Sequence, residues 1–213
     1  MRVTKHNSPY SAAFTGCGFM LNETVVLLPI LQSPDVDALL RSEVEDNKLL
    51  QLGKAKTRAR NITEIRRRFN AVPRSFWDWF AQLPSESQKC ALFFVLLKTY
   101  HLVFDFQLNV VLPQWRSASQ TLSKSDLMMR LNEIAANDDF VDGWSDQTKG
   151  RVCTGFLSFL REAGMLDRET DVLHRPQMAE EDFAHFIAIG EGWFLEACLL
   201  QPFEINRIKE GLR

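Results

Sequence analysis

Apolar residues recur at i, i+3 and i+4 along most of this chain and alternate at strand spacing almost nowhere, so the pattern predicts a mainly α fold. Ser33-Pro34 opens a first helix by the cap-then-proline signal, with Val36, Leu39, Leu40 and Val44 on its inner face. Gly53 marks a break before a helix over residues 57–72. Pro73 starts a short helix whose Phe76, Trp79 and Phe80 share a face. Pro84-Ser85-Glu86-Ser87 then opens the most apolar helix, from Cys90 to Pro113, which is apolar nearly all round and so is expected at the centre.

The stretch Gln114–Ser125 is polar and serine-rich, which reads as a connection with Ser125 as the next cap. Leu127, Met128, Leu131 and Ile134 form a helical stripe after it. A turn at Asp138–Gly143 follows, then a helix capped by Ser145 and stopped by Gly164. Met165–Pro176 places five polar residues, Asp167 to Asp171, between two short apolar patches and reads as a two-strand hairpin. Helix, turn, longer helix and hairpin is the outline of a winged helix-turn-helix. The expected organisation is therefore a helical domain over 1–116 and a winged-helix-like domain with a small β-hairpin over 117–213.

A length of 213 residues with 46% hydrophobic and 24% charged side chains excludes a disordered chain and allows a sizeable core. The Cys90–Pro113 segment is the one stretch that resembles a membrane span, but Lys98, His101, Asp105, Gln107 and Asn109 interrupt it well short of about 20 apolar residues. No membrane span is expected. Cys17, Cys90, Cys153 and Cys198 lie far apart without metal-ligand spacing, and no secretory signal opens the sequence, so a reducing cytoplasm is the expected location.

Charge changes the picture most. Between Lys54 and Arg74 lie eight of the 25 basic residues and a single acid, Glu64, for a local net charge of +7 in a chain of net −2. On a helical wheel Ala59, Ile62, Ile65, Phe69 and Val72 share an inner face. Lys56, Arg60, Thr63 and Arg67 form an outward row with roughly 5.4 Å between successive turns, a spacing that can follow a phosphate backbone. Lys54, Lys56, Arg58, Arg60, Arg66, Arg67, Arg68 and Arg74 are the candidate contacts, with Arg66 and Arg68 beside the inner face. An acidic protein partner, or pairing with Glu43, Glu45 and Asp46 of the preceding helix, would also suit such a face. Eight cations against one acid favour a polyanion, and double-stranded DNA is the expected partner. Lys149 and Arg151, with Thr148, lie near the start of the long helix after the turn, where a recognition helix would meet DNA.

Catalysis finds little support. Gly16-Cys17-Gly18 lacks the spacing of a phosphate loop, and His6, His101, His174 and His185 make no metal pattern. His101 is expected to be a core residue. Trp77 and Trp79 beside Arg74 could stack on bases, although their aromatic neighbours favour a core role. No enzyme, metal or cofactor is expected.

Several short pieces resemble the BrxA family of BREX phage-defence systems. They are Tyr10-Ser-Ala-Ala-Phe-Thr-Gly16 with Glu23, Val44-Glu-Asp-Asn-Lys-Leu-Leu-Gln51, Lys56-Thr57-Arg58-Ala59-Arg60, Ile65-Arg66-Arg67-Arg68-Phe69 and Phe159-Leu-Arg-Glu-Ala-Gly-Met-Leu166. The resemblance implies a helix-dominated fold, DNA binding, no enzymatic activity of its own, and a place among other BREX subunits. A non-catalytic DNA-binding subunit and a protein-protein adaptor for those subunits are both compatible with it.

Overall fold

The computed structural model describes residues 7–212. After a 3-10 turn at Ala13–Gly16 come α1 (Leu21–Leu31), α2 (Val36–Asp46) and α3 (Ala55–Phe69). These three enclose a small cluster of Leu27, Leu31, Leu40, Leu50, Ile62 and Ile65. α1 has no counterpart in the sequence reading, because Leu21–Leu31 is apolar on nearly every side and shows no 3.6-residue period.

α4 (Arg74–Phe80) turns the chain into α5 (Ser85–Thr99), the central helix, whose residues from Cys90 to Leu97 are all buried. The single apolar helix expected over Cys90–Pro113 is broken at Tyr100. Tyr100 takes an extended backbone (φ −122°, ψ 107°), and the chain leaves at a bend of 111° into a second arm, His101–Trp115. That arm comprises α6 (His101–Phe106), a π-helical stretch at Gln107–Val111, and α7 (Leu112–Trp115). The π stretch has a local cause. Pro113 carries no N–H for the carbonyl four residues before it, and its ring crowds that turn; one extra residue per turn relieves both. Among the described residues no single helix is long and apolar enough to cross a membrane. His101, expected in the core, is exposed on the far side of the elbow and meets the Tyr10 ring at 5.2 Å.

α8 (Lys124–Ala135), the short α9 (Asp139–Asp142) and α10 (Asp146–Glu162) follow. The cap of α8 is Ser123 and not Ser125: its hydroxyl accepts the Asp126 N–H at 3.3 Å, and the Asp126 carboxylate accepts the Ser123 N–H at 2.8 Å. Ser123→Ala is expected to lower stability by about 1 kcal/mol in urea denaturation. Ser145 caps α10 as expected, and Gly164 ends it in the left-handed conformation (φ 69°).

The two-strand hairpin expected at Met165–Pro176 does not form as strands. Among the described residues there are no β-strands, only isolated antiparallel bridges Leu166–Leu173 and Thr121–Val172. The Asp167 carboxylate takes up the Glu169 and Thr170 N–H groups and closes the turn tightly. Leu173 then pairs onward to Gln120, so each side of the turn is too short for a ladder.

α11 (Glu180–Ala188), α12 (Trp193–Ala197) and α13 (Pro202–Gly211) close the chain. One large apolar cluster runs from Phe14 and Phe76 through α5 and α10 to Ile208, so side chains from both sides of position 116 share it. Trp77 belongs to it. It is fully buried, and its indole N–H donates to the Phe69 carbonyl at 3.0 Å. Trp79 stacks on His185 at 4.0 Å. Neither ring is presented as a free platform for bases.

Candidate nucleic-acid interface

α3 is built from good helix formers and lays Ile62 and Ile65 into the cluster below it. Its cations fall into three groups by what they touch. Lys54, Lys56 and Arg60 are exposed and have no ion-pair partner among the described residues. Arg60 extends beside the Ala13–Gly16 turn, where a side chain at Gly16 would stand 3.8 Å from its guanidinium, and its charge lies near the Cys17 thiol. Burial pushes that thiol up, with Arg60 opposing.

Arg66, Arg67 and Arg74 form the second group: exposed, yet engaged. Arg66 pairs with Asp37 of α2 at 2.5 Å. Arg67 lies 3.6 Å from Glu64 and over the Tyr100 ring at 5.3 Å from its centroid. Arg74 donates to the Gln32 carbonyl at the C-terminal end of α1. Two of the acids expected to neutralise this block act elsewhere, Asp46 on Lys48 and Glu43 on backbone. Glu43 is buried, and its carboxylate receives the N–H groups of Lys48, Leu49 and Leu50.

Arg58 and Arg68 require a correction, since both turn inward and cannot meet phosphates. Arg58 donates to the carbonyls of Val44 at 2.8 Å and Leu52 at 2.7 Å, closing the C-terminal end of α2 where carbonyls lack partners and a cation is favoured. Arg68 is completely buried. It donates to the Tyr100 hydroxyl at 2.8 Å, the Phe19 carbonyl at 2.7 Å and the Gly18 carbonyl at 2.8 Å. The Tyr100 hydroxyl in turn donates to the Glu64 carboxylate at 2.5 Å. Burial, with Glu64 beside it, pushes the Tyr100 phenol far above its ordinary range, so it remains a donor. This network ties α3 to the elbow and to the turn before α1.

On the C-terminal half, Arg151 is exposed and Lys149 half-buried on the first turns of α10, neither with an ion-pair partner among the described residues. Lys124, at the start of α8, was missed by the sequence reading. Its ammonium lies across α10, 3.4 Å from where a side chain at Gly150 would begin. The packing of α8 against α10 brings it there, and no spacing rule reveals that from sequence. A groove of about 670 Å³ lies between α10 and the Ala13–Gly16 turn, lined by Lys124, Arg151, Thr15, Thr154 and Ser158, with Asp146 the acid among its lining residues. Phe14 forms its floor and packs where a side chain at Gly155 would start, at 3.4 Å. No group of three or more His, Cys, Asp or Glu side chains gathers to hold a metal ion among the described residues.

The fold has a solved counterpart: the crystal structure of an uncharacterized protein from Magnetospirillum magneticum superposes with a TM-score of 0.76, covering 90% of this chain and 98% of that one at 22% identity. Among curated proteins, the BREX protein BrxA of Escherichia coli O9:H4 (strain HS) is 22% identical over 165 residues, 78% of each chain. The family model named BrxA matches residues 8–190, from the segment that leads into the N-terminal turn to the end of α11. The chain belongs to the BrxA family.

Proposed function

We propose that the protein is a non-catalytic DNA-binding subunit of a BREX anti-phage defence system that holds duplex backbone through α3. One observation carries the reading. Lys56 and Arg60 project from α3, and Lys54 from the residue just before it, without carboxylate partners among the described residues, whereas the arginines of α8 and of the C-terminal helices are paired with acids such as Asp105 and Glu180. Unneutralised cations one turn apart on a helix face, as Lys56 and Arg60 are, are where condensed counterions of DNA would be displaced. The order α8, α9, α10 and bridge-paired turn supports a winged helix-turn-helix with α10 as recognition helix, which puts Lys149 and Arg151 on the same ligand.

The test is a salt titration of binding to a random-sequence duplex. Lys56→Ala with Arg60→Ala is expected to flatten the log–log slope by about 2, roughly 0.9 for each lost phosphate contact. Arg66→Ala is expected to change it little, because Arg66 already serves Asp37. Parent and double variant binding alike at every salt concentration would refute the reading.

A second reading, an adaptor for other BREX subunits, draws support from Val25 and Val26, exposed on the outer side of α1. Its mark is a partner that co-purifies after nuclease treatment and is lost when those valines become serine.

A further inference from the structure

The groove between α10 and the N-terminal turn has chemistry that α3 lacks. Lys124 and Arg151 face into it without acidic partners, and Ser158 adds a hydroxyl with no hydrogen bond to the rest of the described chain. Two ammonium- or guanidinium-type donors with a hydroxyl are the donor set for a phosphodiester, which offers acceptors only. Two glycines lie where these parts meet α10, Gly150 beneath the Lys124 ammonium and Gly155 against the Phe14 ring.

The wall of this groove is also the neighbour of α3. Thr15 and Gly18 line it, and Gly16, between them, abuts the Arg60 guanidinium. No stretch of acidic surface separates the two sets of cations along that turn, whose residues from Ala12 to Gly18 carry no charge. Arg68 fixes the turn from below through the Gly18 and Phe19 carbonyls.

We infer that the groove seats the phosphodiester backbone of one strand, and that the Ala13–Gly16 turn joins it to Arg60, so that a single DNA duplex spans both sets of cations. This rests on the DNA-binding reading above and adds the number of sites, their connection and the residues of the second. Lys124, Arg151 and Ser158 become binding residues. The turn sets the spacing between groove and α3.

The experiment uses the full chain and a fluorescein-labelled duplex of about 20 base pairs, followed by anisotropy across a potassium chloride series, with stoichiometry from titration at concentrations well above Kd. One duplex per protein is expected. Lys124→Ala with Arg151→Ala is expected to flatten the log–log slope by about 2, and combination with Lys56→Ala and Arg60→Ala by about 4. Gly150→Glu places a carboxylate beside the Lys124 ammonium and is expected to weaken binding, whereas Gly150→Ala, which meets only the flexible end of Lys124, is expected to bind as the parent does. Circular dichroism of each variant checks that the helices persist. Two duplexes per protein, or a Lys124/Arg151 variant with the parent's slope, would overturn the inference while leaving α3 as a DNA site. A parent that binds no duplex at low salt would remove the underlying reading as well.

Discussion

Arg68→Ala is expected to cost about 3–5 kcal/mol of folding stability, measured by urea denaturation, the range for removing one partner from a buried charge network. Three acceptors lose their donor at once: the Tyr100 hydroxyl and the carbonyls of Gly18 and Phe19. Glu64, itself buried, is left with Tyr100 and a distant Arg67 to hold its charge. Arg68→Lys should recover little of the loss, because a single ammonium cannot reach three acceptors held by a planar fork. Arg68→Met tests the cause, since it keeps most of the volume but no donor. If Arg68→Met were as stable as the parent, packing and not hydrogen bonding would account for the burial of this residue.

The second large effect is on affinity. Lys54, Lys56, Arg60, Lys124, Lys149 and Arg151 lack ion-pair partners among the described residues. If each meets one phosphate, the log–log slope is about −5, and raising salt from about 50 to 200 mM lowers affinity about 10³-fold. Association at low salt should be correspondingly fast. A slope near −1 would mean that most of these cations stay in water, and the adaptor reading would then account better for the exposed surface.

Helical geometry was the part of the candidate interface most legible in the sequence. Lys56, Arg60, Thr63 and Arg67 were placed on the outer side of α3, and all four are exposed. The same wheel puts Arg58 at nearly the angle of Ile65 and Phe69, so its inward direction was readable, and only its charge argued otherwise. A long cation placed on an inner face finds acceptors there when helix-terminal carbonyls lie within reach, as those of α2 do. The acceptors of Arg68 were not readable, because Gly18, Phe19 and Tyr100 lie 50, 49 and 32 residues away along the chain. Lys124 escaped for a related reason. Its position over α10 depends on how α8 packs against α10, which is a property of packing and not of pattern. The hairpin was misread because apolar patches at Leu166 and Leu173 satisfy a strand pattern, while a tight Asp167 turn leaves room for one bridge.

Several pieces that carry the family resemblance prove to be structural. Phe14 fills the floor of the groove, Arg58 and Arg68 secure neighbouring segments, and Asn47 caps α2 in a left-handed conformation while accepting the Leu52 N–H. Positions that determine the fold and positions that face solvent therefore alternate within a single basic run, one arginine apart.

The elbow at Tyr100 has a consequence of scale. A straight helix over the 31 residues from Ser85 to Trp115 would be roughly 46 Å long, enough to cross about 30 Å of hydrocarbon. Bent by 111°, it becomes two arms of 15 residues, each reaching about 22 Å and neither matching that thickness alone. Hydropathy averaged along the sequence registers the sum of the arms and has no access to the angle between them.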